Sequence, residues 1–169
     1  MARADAILSH LEGENPKVAE IGVSKGRLSR LLRQRTSNLY LIDSWQEATS
    51  ESYIATHDDH AMLTQKRHDK NYQLASEVDA IIIRKDSVEA SKDFEDGFFD
   101  LIFIDADHSY EGCSRDIKAW LPKVRIGGWL SGHDYGDRQF GVTQAVDELL
   151  SNVELDKNLT WFYANNNSI

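Results

Sequence analysis

The chain has 169 residues, a net charge of -9 and a single cysteine. That length fits one domain, 1–169, with a full core and no second domain, and the acidic balance argues against nucleic acid as the main partner, because a phosphate backbone requires concentrated Lys and Arg. One cysteine excludes an intramolecular disulfide, no apolar run approaches the roughly 20 residues that cross a bilayer, and the N-terminus lacks a signal-peptide pattern, so the expectation is a cytoplasmic protein without a membrane partner.

Arg3 to Glu12 carries Ala4, Ile7, Leu8 and Leu11 on one side and stops at Gly13, which predicts a short leading helix, at most a modest lid. Lys17 to Ile21 reads as a short strand. It runs into Glu20-Ile21-Gly22-Val23-Ser24-Lys25-Gly26, an E-x-G-x-x-x-G turn, after which Leu28, Leu31 and Leu32 mark one face of a helix. Glycine between a strand and a helix lets a ligand approach the backbone, and the helix start supplies free N–H groups, so Gly22, Ser24 and Gly26 are cofactor candidates. The competing reading is a plain tight turn.

Leu39 to Ile42 is the next strand and ends in Asp43-Ser44-Trp45. An acidic residue about 20 positions after a glycine-rich loop is placed to accept from ribose hydroxyls, which makes Asp43 the ribose candidate; a cap or turn is its other role. Trp45 either stacks on a purine or closes the core. Gln46 to Asp79 is polar, with Tyr53, Ile54, Met62, Leu63, Tyr72 and Leu74 as its few apolar anchors. Its His57-Asp58-Asp59-His60 run reads as a solvated face in preference to a metal site, and the segment as substrate contacts or a mobile lid. Ala80 to Ile83 has the continuous apolar character of a strand buried on both faces. Asp86 and Ser87 follow it, where a side chain can accept from an adenine amino group, cap a helix, or do both.

The central stretch runs from Phe103 to Tyr135. An apolar run, Leu101 to Ile104, stops at Asp105, as a buried parallel strand does when it delivers a carboxylate to the sheet edge. Tyr110, Cys113, Ile117, Trp120 and Leu121 then repeat at helical spacing, with Ser109 as N-cap and Pro122 as terminator. Cys113, on that stripe, reads as core and not as a nucleophile. A strand from about Ile126 to Ser131 ends in His133 and Asp134. If it neighbours the previous strand, at a spacing of roughly 5 Å, Asp105 and Asp134 share one carboxyl edge, where open α/β sheets bind ligands. Val142, Ala145, Val146, Leu149 and Leu150 form an amphipathic helix. Val153 to Leu155 and Thr160 to Tyr163 predict a terminal hairpin, and the last residues a frayed tail.

Taken together, the strand and helix alternation, the Glu20 to Gly26 loop, Asp43 and the Asp86-Ser87 pair resemble a class I S-adenosylmethionine-dependent methyltransferase across nearly the whole chain. Ile104-Asp105-Ala106-Asp107-His108-Ser109-Tyr110-Glu111-Gly112, with Gly127-Gly128 and Gly132-His133-Asp134-Tyr135, is similar more narrowly to the group containing macrolide sugar O-methyltransferases and cephalosporin hydroxylase-like proteins. The resemblance implies an α/β, Rossmann-like fold: a mostly parallel seven-stranded sheet with an antiparallel last strand and helices on both faces. It also implies that Glu20, Gly22 and Gly26 cradle the amino-acid end of S-adenosylmethionine, Asp43 its ribose, and Asp86 with Ser87 its adenine, Asp105 lying beside it. Cation-dependent relatives hold a divalent ion at positions equivalent to Asp105, His133 and Asp134, a donor set suited to Mg2+ or Mn2+.

Asp105, His108 and His133 are then the catalytic candidates. Methyl transfer from a sulfonium is an in-line displacement, so the protein must align donor and acceptor and take a hydroxyl proton, a step that a cation on the acceptor oxygen assists. Histidine is able to serve as the base, although catechol-type relatives carry a lysine where this chain has His108, and a buried or capping role competes. The leading segment is short for this type, so the acceptor pocket is expected to be open, completed by another subunit, or degenerate. The expectation is O-methylation of a small-molecule hydroxyl, with the acceptor and any homo-oligomer left open. The alternatives are a cofactor-binding module without transfer activity and, less favoured, a nicotinamide-dependent oxidoreductase, whose G-x-G-x-x-G spacing is missing.

Overall fold

A computed structural model describes residues 2–47 and 64–166. The His57-Asp58-Asp59-His60 run and the anchors Tyr53, Ile54, Met62 and Leu63 lie outside the described residues. Among the described residues the elements are, in chain order, α1 (Ala2–Ser9), β1 (Val18–Ile21), α2 (Arg27–Leu32), β2 (Leu39–Asp43), α3 (Gln65–Ala75), β3 (Ile81–Arg84), α4 (Ser87–Ser91), β4 (Phe99–Ile104), α5 (Tyr110–Trp120), β5 (Val124–Gly132), α6 (Val142–Leu149), β6 (Glu154–Leu155) and β7 (Trp161–Ala164), with a 3-10 turn at Leu121–Lys123. Seven strands form one sheet in the order β3-β2-β1-β4-β5-β7-β6. Pairing is parallel from β3 through β5 and antiparallel for β7 against β5 and against β6. The expected α/β fold with its antiparallel final strand and terminal hairpin is therefore present.

Strand periodicity divides the core into two layers. In β4, Leu101 and Phe103 pack with Ile7, Leu11, Leu32 and Ala75 on the α1–α3 side, whereas Ile102 and Ile104 pack with Cys113, Ile117, Trp120 and Val146 on the α4–α6 side. Cys113 is buried in the second layer, as its place on the helical stripe implied.

Two strands differ from expectation. β3 is an edge strand, and Ile81 is 48 % exposed, so the strand is not buried on both faces. An apolar run reports β propensity and not position in the sheet. β5 begins earlier than Ile126 and carries an irregularity in its pairing with β4, where Phe99 opposes Val124 and Leu101 opposes Trp129. Gly127, at φ 73°, sits in that irregularity, which turns Ile126 outward to 58 % exposure.

Candidate active site

The parallel register builds the site. Ile21 stands opposite Ile42 and Ile104, and Ile104 opposite Gly132. The ladder continues past the strand ends, with Gly22 N donating to Ile42 O at 2.9 Å, Asp105 N to Ile21 O at 2.7 Å and His133 N to Ile104 O at 3.2 Å. Asp43, Gly22, Asp105 and His133 therefore leave the sheet side by side. The gap between β1 and β4 is also where the strand order reverses, the topological position of ligand clefts in such sheets.

Packing as much as ligand access explains the glycines of the first loop. At Gly22, φ is 85° and an added Cβ would lie 2.2 Å from Asp105 O, so the edge of β4 closes against this residue. Gly26, at φ 68°, would meet Ala75 Cα at 3.1 Å and Val78 at 3.2 Å. Asp43 braces the same loop: its Oδ2 accepts from Val23 N at 2.9 Å and Ser24 N at 3.0 Å, and its Oδ1 from Trp45 N at 2.7 Å. Trp45 is 1 % exposed and donates from Nε1 to Ser24 O at 2.9 Å, so its ring closes the core. Ser24 and Trp45 both have left-handed backbones, φ 51° and 44°, a strain that these hydrogen bonds hold in place. Glu20 points inward and its Oε2 accepts from the Ser29 hydroxyl at 2.5 Å.

At the opposite end, Asp86 caps α4, its Oδ1 accepting from Val88 N at 2.9 Å and Glu89 N at 3.3 Å. Its Oδ2 lies 3.6 Å from Arg115, and Ser87 Oγ accepts from Trp120 Nε1 at 2.7 Å. Beside them Asp116, 1 % exposed, has no hydrogen-bond partner for either oxygen among the described residues. Sequence reasoning passed over Asp116. The signal was its place between Cys113 and Trp120 on the buried face of α5, where a carboxylate is out of pattern.

The ends of β4 and β5 carry the densest cluster. His108 Nε2 lies 2.9 Å from Asp134 Oδ2 and 3.3 Å from Asp105 Oδ1, and the His108 ring stacks on Phe140 at 4.7 Å. Asp105, His108 and Asp134 each offer a ligand atom within 4.8 Å of the others. The set that the structure gathers thus has His108 in the place expected of His133. Asp134 has a left-handed backbone, φ 63°, and His133 Nδ1 faces its other oxygen, Oδ1, at 2.8 Å. The remaining member is Arg3 of α1, which donates to Asp105 Oδ2 at 2.7 Å and lies 3.2 Å from His133 Nδ1. Nothing in the sequence marks Arg3, because a contact across 102 residues depends on how α1 docks.

One cleft of about 670 Å3 is lined from Asp86, Ser87 and Asp116 past Glu20, Gly22 and Asp43 to Arg3, Asp105 and His108; His133 and Asp134 are not part of the lining and meet it through Arg3 and His108. Its volume is within the range of small-molecule and cofactor sites. A family model described as a methyltransferase domain matches residues 19–135, the stretch that supplies almost all of this lining. The chain belongs to the methyltransferase domain family. In fold and motif it is a class I methyltransferase, the class that uses S-adenosylmethionine. Among curated proteins, the uncharacterized protein y4gI of Sinorhizobium fredii is 29 % identical over 112 residues, 65 % of this chain but 12 % of that protein, so the chain spans a small part of this relative. Among solved structures, the O-methyltransferase NovP superposes with a TM-score of 0.68 at 16 % identity, over 98 % of this chain and 80 % of that one. The calicheamicin methyltransferase CalS11 gives 0.69 at 11 %, over 96 % and 77 %. A precorrin 8w decarboxylase from Methanobacterium thermoautotrophicum gives 0.60 at 16 %, over 97 % and 89 %. At these identities the likeness is one of fold.

Within the cleft, burial pushes the Glu20 carboxyl up to about 8; the Ser29 hydrogen bond opposes this and the charges of Asp105 and Asp43 add to it. Burial alone would lower the His108 pKa, but hydrogen bonds to Asp105 and Asp134 and their negative charges raise it to about 9. For Asp134, burial acts upward and is outweighed by hydrogen bonds from His108 and His133, which hold the carboxyl well below the usual range. Burial raises Asp116 to about 7 against the pull of the Arg115 charge and of the Ser87 hydroxyl, which is near enough to act on the carboxyl but is outside hydrogen-bond geometry. At neutral pH the cluster therefore contains a charged histidine between two carboxylates. Among the described residues no helix is long and apolar enough to cross a membrane.

Proposed function

We propose that this chain transfers a methyl group from S-adenosylmethionine to a hydroxyl of a small molecule. The observation that carries the reading is one cleft joining the Glu20–Lys25 loop, Asp43 and the Asp86-Ser87 turn to Asp105 and His108, with Asp134 against His108 at 2.9 Å. The amino-acid end of the cofactor is assigned to Glu20, Gly22, Ser24 and Gly26, and the adenine to Asp86 and Ser87. The ribose is assigned to the outer lone pairs of Asp43, with Trp45 supporting that wall from the core. The methyl group is then directed toward Asp105, His108 and His133.

In the reaction the acceptor oxygen forms a bond to the methyl carbon, the carbon–sulfur bond breaks, and its electron pair neutralises the sulfonium. The hydroxyl proton must go to the protein. His108 is the group assigned to take it, once its own proton has passed to solvent, and Asp105 and Asp134 hold the imidazole in line. Two carboxylates and an imidazole also fit a divalent ion such as Mg2+ or Mn2+ in donor type and spacing. Asp105, His108 in its neutral form and Asp134 would hold it, in place of the base role of His108, and when bound it would lower the pKa of an acceptor hydroxyl. Support for oxygen as acceptor comes from the fold shared with NovP and CalS11. The test is transfer of labelled methyl to a panel of sugar, phenol, polyketide and carboxylate acceptors, with and without Mg2+. Transfer to a hydroxyl is the expected result. Tight cofactor binding without transfer to any acceptor would favour a binding module.

A further inference from the structure

The cluster at the ends of β4 and β5 already contains a permanent cation. Arg3 is always charged, and it reaches Asp105 Oδ2 at 2.7 Å while lying 3.2 Å from His133 Nδ1. Asp105 is at the same time one of the three residues with a ligand atom inside the 4.8 Å grouping. Its other oxygen, Oδ1, faces His108 at 3.3 Å. Both oxygens of Asp105 thus have partners before any ion arrives, and one partner is a guanidinium. A divalent ion on Asp105 would share a partly buried carboxylate with that guanidinium, and like charges so close repel strongly. Ala4 and Ile7 of α1, at 2 % and 0 % exposure, anchor the helix in the core, so its docking does not rest on Arg3 alone.

We propose that Arg3 is the resident cation of this site: its guanidinium neutralises Asp105 from the Oδ2 side, so that a divalent ion drawing on the same carboxylate must compete with Arg3. Removing Arg3 then converts a poor ion site into a better one without disturbing the rest of the cleft. The inference rests on the proposed function only in taking this cluster as the reacting end, and its test does not depend on turnover.

The experiment is a titration of metal-stripped protein with Mn2+, following the free-ion signal by electron paramagnetic resonance. The wild-type chain, Arg3→Ala, Arg3→Gln and the Arg3→Ala/Asp105→Asn double variant are compared, and thermal melts check that each is folded. Arg3→Ala and Arg3→Gln are expected to bind Mn2+ at least tenfold more tightly than wild type. The double variant should lose that gain. Equal affinity in wild type and both single variants, including no binding in any of them, would overturn the proposal, as would a gain that survives Asp105→Asn. S-adenosylhomocysteine titrated into the same samples separates the two readings: failure to bind it would sink the methyltransferase proposal and leave the Mn2+ comparison intact.

Discussion

Asp134 and Asp105 leave His108 with two carboxylates and one ring nitrogen between them, at 2.9 and 3.3 Å. If the neutral imidazole accepts the hydroxyl proton, the pKa of about 9 fixes the sign of the pH dependence. Below it His108 is protonated and inactive as a base, so kcat should rise about tenfold per pH unit and level off near 9. His108→Gln should lower kcat by roughly 10²- to 10⁴-fold and flatten that limb. A wild-type rate independent of pH between 7 and 9 would remove His108 from the base role. Asp43 shows the opposite case, a candidate ligand residue whose observed work is structural. Three backbone amides already point at its carboxylate, so Asp43→Ala must loosen the loop as well as weaken ribose binding.

Among the elements, the junction of β1, β4 and the first loop leaves little room for change. Gly22→Ala forces a left-handed alanine, at φ 85°, with Cβ 2.2 Å from Asp105 O, and should destabilise the chain by about 1–3 kcal/mol in urea unfolding while displacing Asp105. A wild-type midpoint would mean that the edge of β4 moves freely away from the loop. Most of these elements were legible in the sequence. Leu39 to Ile42 and Leu101 to Ile104 each end in an aspartate because a parallel strand leaves the core at its carboxyl edge, and that rule located Asp43 and Asp105. The edge position of β3 was not legible, since Ile81 to Ile83 carry the same β propensity at an edge as at the centre. The grouping of His108 with Asp105 and Asp134 was also hidden, because it depends on how the residues after β4 and after β5 come together, which strand and helix periodicity does not report. Arg3 depends wholly on how α1 docks, which periodicity does not report.

For the whole molecule, the buried titratable groups predict how stability varies with pH. Glu20, Asp116 and His108 have folded pKa values raised to about 8, 7 and 9, so each binds its proton more tightly in the folded chain. Their contributions are fully present below the ordinary pKa of each group and are lost as pH rises through the folded value. Asp134 is depressed, and its contribution is lost as pH falls below the carboxylate range. Stability of the ligand-free chain should therefore be greatest in mildly acidic solution, with Tm at pH 6 exceeding that at pH 9 by roughly 5 °C. A Tm that rises over that interval would contradict the protonation states assigned to Glu20 and His108.

The central claim is that the cleft at the β1–β4 switch point is a site for S-adenosylmethionine, and calorimetric titration with S-adenosylhomocysteine tests it most directly. Saturable micromolar binding is expected near pH 7, severalfold weaker in Asp43→Ala. Release of a proton should accompany it, as the amino group of the ligand settles near Glu20 and lowers a carboxyl otherwise held at about 8. The absence of any saturable heat from the folded protein would contradict the account, and the carboxyl-edge cluster would then belong to a different ligand.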